Sequence, residues 1–208
     1  SHISGGFLLD IGCGIKPYRE LFVVEKYIGI DVEQSGHDHT HSKIDKFFDG
    51  INIPYEDNSF DYVIATEVFE HSFNLDKLLI DIRRVMKDDG VLFFTIPFCW
   101  NEHEIPFDFA RYTRFGIAQI LNENGFEITK IRKSTTFVET ICQLLILYIV
   151  TNIFPRNKYI RTILSSMLTT PLTIIAKTSS LILPDDASLP LNLIVVARPA
   201  ALQKNEDL

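Results

Sequence analysis

The run Phe7–Ile11, "FLLDI", passes directly into Gly12, Cys13 and Gly14. A short apolar run ended by a glycine pair reads as a buried strand that turns sharply. Glycine lacks a Cβ, so backbone and ligand can approach each other closely at such a turn. Further strand-like runs follow at Tyr27–Asp31, Phe60–Ala65, Val91–Ile96, Phe126–Arg132 and Leu193–Arg198. Between them, Leu75, Leu78, Leu79, Ile82, Val85 and Met86 recur at helical spacing, with Asn74 as N-cap and Gly90 just past the helix end. Thr113 is placed to cap a second helix that ends at Gly125. Strands alternating with helices predict an α/β fold with a doubly wound, parallel sheet. Ligands of such sheets sit beyond the carboxyl ends of the strands, which is where the opening turn lies.

A carboxylate at the end of the second run, Asp31, suits two ribose hydroxyls, so the expected ligand is a nucleoside. A pyrophosphate-bearing dinucleotide would call for a third glycine, and Lys16 and Pro17 stand there instead. A nicotinamide-dependent oxidoreductase is disfavoured on this ground, and no Tyr-x-x-x-Lys pair occurs downstream to act as its acid. The net charge of −7 argues against a nucleic-acid partner, which demands a basic face. The three cysteines, Cys13, Cys99 and Cys142, form neither a disulfide framework nor a zinc pattern and fit a reducing cytoplasm. No secretory leader opens the chain, and the missing initiator Met leaves room for native sequence before Ser1.

Three downstream segments sharpen the reading: "FDGINIPYEDNSFDYVIATEVFEH", "RVMKDDGVLFFTIP" and "LNENGFEI". With "LDIGCG" they resemble the class I S-adenosylmethionine-dependent methyltransferases, and within them the small-molecule branch, over roughly Phe7 to Ile131 and the final strand. The resemblance implies a Rossmann-like sheet of seven mostly parallel strands, helices on both faces and an antiparallel last strand. It implies S-adenosyl-L-methionine as cofactor and S-adenosyl-L-homocysteine as product. It assigns Asp10, Gly12, Cys13 and Gly14 to the turn that cradles the methionine and ribose part. Asp31 is assigned to the ribose hydroxyls and Val32 to the adenine. Asp49 is assigned to the adenine amino group, with Gly50 and Ile51 beside the ring; Asp45 and Asp57 are nearby alternatives. Thr66 and Glu67 fall near the methionine end, with His71 at the start of the next helix. Glu70 and His71 also read simply as helix N-terminal residues, where acids favour the dipole. "KDDG" replaces the family's "KPGG".

A second segment, "WNEHEIPFDFARYT" from Trp100 to Thr113, follows the fifth strand and so lies over the sheet's carboxyl edge. It resembles an "HExPxDFxRYT" segment of methyltransferases associated with surface-polysaccharide and glycan pathways, which implies a small-molecule or sugar hydroxyl as methyl acceptor. A hydroxyl acceptor needs a base, and His103 is the first choice because an imidazole titrates near neutrality. Asp108 would orient it, Arg111 would hold an acidic acceptor group, and Tyr112 would close the pocket. The plainer alternative makes Asp108 and Arg111 a structural ion pair and His103 a loop residue. The "HDHTH" stretch, His37 to His41, reads as a solvated loop, so no metal is expected.

The domain expectation is a cofactor-binding domain over 1–133 and 191–200, interrupted by a mostly helical insertion over 134–190. That insertion is apolar and punctuated by Pro155, Pro171, Pro184 and Pro190. Three uses are open to it: a lid, a homodimer interface, or peripheral membrane contact through 137–183. Thr140–Phe154 is too short to span a bilayer, which takes about 20 apolar residues. The expected location is cytoplasmic, with a membrane-peripheral variant. A non-catalytic methyltransferase-like binding module is the remaining alternative, disfavoured by the intact Asp10, Gly12, Gly14 and Asp31.

Overall fold

The computed structural model describes residues 3–35, 40–155 and 157–201, without the side chains of Ser180 and Leu181. The chain divides into two compact units, one of Ser1–Pro97, Asn101–Arg132 and Leu193–Leu208, the other of Phe98–Trp100 and Lys133–Asn192.

The first unit is built on a seven-stranded sheet, β1 (Phe7–Ile11), β2 (Lys26–Val32), β3 (Lys46–Phe48), β4 (Phe60–Thr66), β5 (Met86–Pro97), β6 (Phe126–Lys133) and β7 (Asn192–Pro199). Their order is β3-β2-β1-β4-β5-β7-β6, parallel through β3, β2, β1, β4 and β5, with the last strand antiparallel. This is the Rossmann-like arrangement expected from the sequence. The strand order reverses between β1 and β4, so a crevice opens beyond their carboxyl ends.

Two helices, α1 (Leu75–Val85) and α2 (Arg114–Glu123), complete this unit. Leu75, Leu78, Leu79, Ile82 and Val85 of α1 and Ile117 and Leu121 of α2 share one buried cluster with Leu9 and Ile11 of β1 and Val63 and Ala65 of β4. Strand residues two apart face the same side of a sheet, so the apolar stripes of both helices meet alternate residues of β1 and β4. Thr113 caps α2 as expected, its hydroxyl accepting from the Gly116 amide at 3.1 Å.

Three local features depart from the sequence reading. The helix starting at Leu75 stops at Val85, and Met86 already pairs with Phe60, so Gly90 lies inside β5 rather than at a helix end. The extra residues Lys87–Gly90 form a register break between the Phe60↔Met86 and Tyr62↔Val91 pairs, which is where "KDDG" sits. Lys46–Phe48 forms a strand too short for its pattern to announce. Between β1 and β2 there is no α-helix, only a single 3-10 turn at Arg19–Leu21.

The second unit carries α3 (Phe137–Asn152) and α4 (Lys158–Ile182). Thr136 and Glu139 form a capping box at the start of α3, and Lys177 of α4 reaches Glu139 at 2.6 Å. Pro171 does not punctuate as expected, because α4 runs through it. Proline removes only the bond to the residue four before it, here Met167, which is exposed to water. Among the described residues no helix is long and apolar enough to cross a membrane.

Asp10 stands out in the β1 core, 1% exposed, with the Tyr27 hydroxyl donating to it. Burial pushes its carboxyl up to about 6 despite that bond and the charge of Lys16. A carboxyl raised in the folded state costs nothing below about pH 4, where it is protonated folded and unfolded alike, and its full cost is reached above about pH 6. Asp10→Asn should therefore gain stability relative to the parent as pH rises from 4 to 7, by up to about 3 kcal/mol for a shift of some two pH units. Denaturant melts at each pH read this; a difference flat with pH would contradict it. A second test concerns Gly29, where an added Cβ would lie 2.4 Å from Lys16 Cε and 2.6 Å from Cys13 Sγ. Gly29→Ala should cost about 1–3 kcal/mol by overpacking, seen as a lowered denaturant midpoint.

Candidate active site

The turn after β1 is set by its neighbour β2. The Gly12 and Cys13 amides both donate to the Ile30 carbonyl, at 2.8 and 3.1 Å. Two successive donors on one acceptor bend the chain off the strand axis, with Gly12 at φ 67° and Gly14 at φ 47°. An added Cβ at Gly12 would lie 2.4 Å from Val68 Cγ2, so glycine is needed there for space as well as for conformation. Asp31 closes the turn: its Oδ2 accepts from the Gly14 amide at 3.0 Å and its Oδ1 from the Val32 amide at 2.8 Å.

Lys16, at the place of a third glycine, itself adopts a left-handed conformation, φ 56°. Its ammonium pairs with Asp45, whose Oδ2 also accepts from the Gly29 amide at 2.7 Å. Burial works against the Asp45 charge, yet the Gly29 amide and Lys16 hold its carboxyl below the usual range. The Lys43 amide donates to the Gly14 carbonyl at 2.9 Å. Lys16 and Asp45 thus fasten the turn to the segment leading into β3. The sequence offered Asp45 only as an alternative adenine partner and Lys16 only as a departure. Burial raises the Cys13 thiol to about 12, helped by Asp10 and Asp31, so it stays protonated at neutral pH.

A cavity of about 410 Å³ opens over this turn. Asp10, Gly12, Cys13, Gly14, Asp31 and Val32 line one side, and Thr66, Glu67, Val68, His71 and Glu104 another. The expected cofactor positions therefore converge, apart from the Asp49 group. Asp49 is exposed and outside the lining, its oxygens taken by the Ile51 amide at 2.8 Å and by the amide and side chain of Asn52, each at 2.6 Å. Asn52 and these amides hold its carboxyl below the usual range. Gly50 lies against Val32, 3.5 Å from a Cβ position to Val32 Cγ1, so this segment meets the cavity through Val32.

At the opposite end, Glu70 and His71 sit in a 3-10 turn, Phe69–His71. Glu70 is fully buried, and neither carboxylate oxygen has a hydrogen-bond partner. Burial pushes its carboxyl up to about 8 against the pull of its own backbone amide and of Arg111, with Glu67 and Asp108 adding to the effect. His71 Nδ1 lies 2.9 Å from the Phe107 carbonyl. Its Nε2 lies 3.8 Å from Glu70 Oε1 and 3.6 Å from Glu104 Oε1, both beyond hydrogen-bond range. The His103 ring meets that of His71 edge to face, centroids 4.8 Å apart.

His103 is held by Asp108, which accepts its backbone amide at 3.0 Å and lies 3.1 Å from Nδ1. Nδ1 is nonetheless unbonded, so Asp108 stands beside it without hydrogen-bond alignment. Arg111 grips Asp108 with both terminal nitrogens, at 2.5 and 2.7 Å, and gives its remaining bonds to the Ala110 and Asn101 carbonyls. That fork, with the His103 amide, holds the Asp108 carboxyl well below its usual range. Tyr112 packs against the apolar cluster, and burial raises its hydroxyl. His71 and Glu104 line the cavity; His103, Asp108, Arg111 and Tyr112 do not. The "HDHTH" stretch lies mostly outside the described residues.

Residues 9–94 match a family model described as a methyltransferase domain. The chain is 32% identical over 96 residues to an uncharacterized protein of Methanocaldococcus jannaschii, an overlap of 45% of this chain and 38% of that protein. It is 33% identical over 100 residues to the sterol 24-C-methyltransferase erg6 of Schizosaccharomyces pombe, covering 42% of this chain and 26% of the relative. The chain thus spans well under half the length of the curated relatives it matches. Among solved structures, the fold superposes on the [4+2]-cyclase SpnF with a TM-score of 0.61 at 17% identity, covering 96% of this chain and 77% of that one. It also superposes on phosphoethanolamine N-methyltransferase 2 of Haemonchus contortus, solved with S-adenosyl-L-methionine, with a TM-score of 0.59 at 19% identity over 97% of this chain and 50% of that one. Residues 9–94, with the glycine turn and Asp31, are thus similar to methyltransferase domains, and the strand order is that of the Rossmann-like fold, which together support a class I S-adenosylmethionine-dependent methyltransferase.

Proposed function

We propose that this chain binds S-adenosyl-L-methionine in the cavity over the β1 turn and transfers its methyl group to a hydroxyl of a small molecule or sugar. The observation that carries the reading is the cavity itself, which joins the glycine turn and Asp31 to His71 and Glu104. Its volume of about 410 Å³ suits a ligand of nucleoside size with an amino-acid tail. Nothing lies within 4 Å of a Cβ position at Gly14, so the turn is open to close approach. Each Asp31 oxygen spends one acceptor site on a backbone amide, and a carboxylate has about four such sites, leaving capacity for ribose hydroxyls. A dinucleotide would lay its pyrophosphate on a helix N-terminus after this turn. Here only a 3-10 turn follows, which weighs against NAD independently of the missing glycine.

The cofactor would supply an electrophilic methyl on a sulfonium sulfur. The chain's own part is to align the acceptor oxygen with that carbon, exclude water and activate the hydroxyl. His71 at the cavity wall and His103 beside it take the last role, with Asp108 and Arg111 positioning His103. The acceptor oxygen gives up its proton and forms the new bond to carbon as the carbon–sulfur bond breaks. The sterol methyltransferase relative supports a small-molecule acceptor, while the sugar reading rests on the segment from His103 to Thr113. A fold shared with a cyclase does not by itself fix methyl transfer.

Calorimetry should show binding of S-adenosyl-L-homocysteine and none of NAD; the reverse pattern overturns the reading. His103→Ala should lower turnover by about 10²–10⁴-fold while leaving cofactor affinity nearly unchanged. Unchanged turnover would remove His103 from the chemistry.

A further inference from the structure

Glu70, His71 and His103 each offer one ligand atom, and these atoms all lie within 4.8 Å of one another. The hydrogen bonding around them is incomplete in a particular way. Glu70 is 0% exposed, and both its oxygens lack a donor. Leaving a buried carboxyl without partners is costly. With Nδ1 donating to the Phe107 carbonyl at 2.9 Å, His71 keeps a lone pair on Nε2, which lies 3.8 Å from Glu70 Oε1 and 3.6 Å from Glu104 Oε1. Nε2 is buried and unbonded too. The two groups therefore stand across a gap too long for a shared proton. A cation between them resolves that arrangement.

The surroundings match what metal-binding imidazoles need. A ligating histidine usually gives its other ring nitrogen to a carbonyl or carboxylate, which fixes its tautomer and direction. His71 has the Phe107 carbonyl in that place; at His103 Asp108 stands 3.1 Å from Nδ1, not yet aligned as a hydrogen bond, and holds the residue by its backbone amide. Two imidazoles and one carboxylate form a ligand set used for zinc and for other first-row divalent metals in sites that keep open positions. Here the open side faces the cavity, through His71 and Glu104.

We propose that Glu70, His71 and His103 form a binding site for one divalent first-row metal ion, zinc-like in its preference for nitrogen and oxygen ligands, whose open position receives the acceptor oxygen. Ligands at about 2.1 Å from a zinc ion stand about 3.4 Å apart, so the three side chains close by roughly an ångström on binding. The site deepens the methyltransferase reading and rests on it for its role; with the metal bound, His71 and His103 activate the hydroxyl through the ion rather than as bases. A hydroxyl ligated there loses its proton to water more readily. Its oxygen then bonds to the methyl carbon while the electrons of the carbon–sulfur bond pass to sulfur.

The test strips the protein with a chelator and titrates it with Co²⁺, whose visible absorption reports nitrogen–oxygen ligation. One Co²⁺ per chain is expected, displaced by Zn²⁺. His71→Ala, His103→Ala and the near-isosteric Glu70→Gln should each weaken binding by about tenfold or more. Circular dichroism establishes that each variant is folded, and His103→Ala, on a loop, keeps the test valid if the buried positions do not tolerate change. Failure of the parent to bind Co²⁺, or unchanged binding by folded His71→Ala and His103→Ala proteins, overturns the site. Calorimetry with S-adenosyl-L-homocysteine on the same samples separates the two ideas. Homocysteine-ligand binding without Co²⁺ binding sinks the metal site alone, and the converse sinks the methyltransferase reading alone.

Discussion

The Ile30 carbonyl is the point on which the site turns. It takes both the Gly12 and the Cys13 amide, so β1 cannot continue as a strand and must bend over the edge of β2. The next residue of β2, Asp31, catches the Gly14 amide, and the Asp45 carboxylate catches Lys16. Three anchors on or beside one strand thus define the floor of the cavity without an α-helix behind it. In most glycine turns of this kind a helix dipole would also contribute. Here backbone bonds and one ion pair replace it, which suits a ligand whose charge is not a phosphate.

Across the cavity the design is different. Asp108 and Arg111 form a two-pronged ion pair, and the His103 amide rests on it. The arginine's terminal nitrogens are all directed at protein oxygens, so its part is to hold a carboxylate that in turn holds His103. Against this bonded carboxylate stands one without partners, Glu70, beside His71. Buried polar groups are normally paired. Side by side, a tightly bridged carboxylate and an unpartnered one separate the support of the site from its working face.

The sheet was legible because its strands are short, largely apolar runs, as in Phe7–Ile11 and Val91–Ile96. β3 was not, because Lys46, Phe47 and Phe48 are too few to show a period. The end of α1 was misread because Val85 closes the helix and Met86 opens the strand, both fully buried, so the apolar pattern runs on across the boundary. In the site, Asp31 could be found from its place at a strand end. Lys16 could not, because its partner lies 29 residues further on, in a segment with no regular pattern. Glu70 read as a solvated helix start, since burial of an acid is decided by packing from distant residues and leaves no mark in its neighbours.

The segment bearing His103 and Asp108 is fastened to the turn bearing Glu70 through main-chain atoms: the Phe109 and Ala110 amides both donate to the Glu70 carbonyl, at 2.9 and 3.2 Å. Attachment of this kind is blind to side-chain identity. Positions 109 and 110 can therefore drift in sequence while the loop keeps its seat beside the cavity. Acceptor preference can diversify along this loop between descendants of one ancestral chain, without renegotiating the part of the molecule that holds the cofactor.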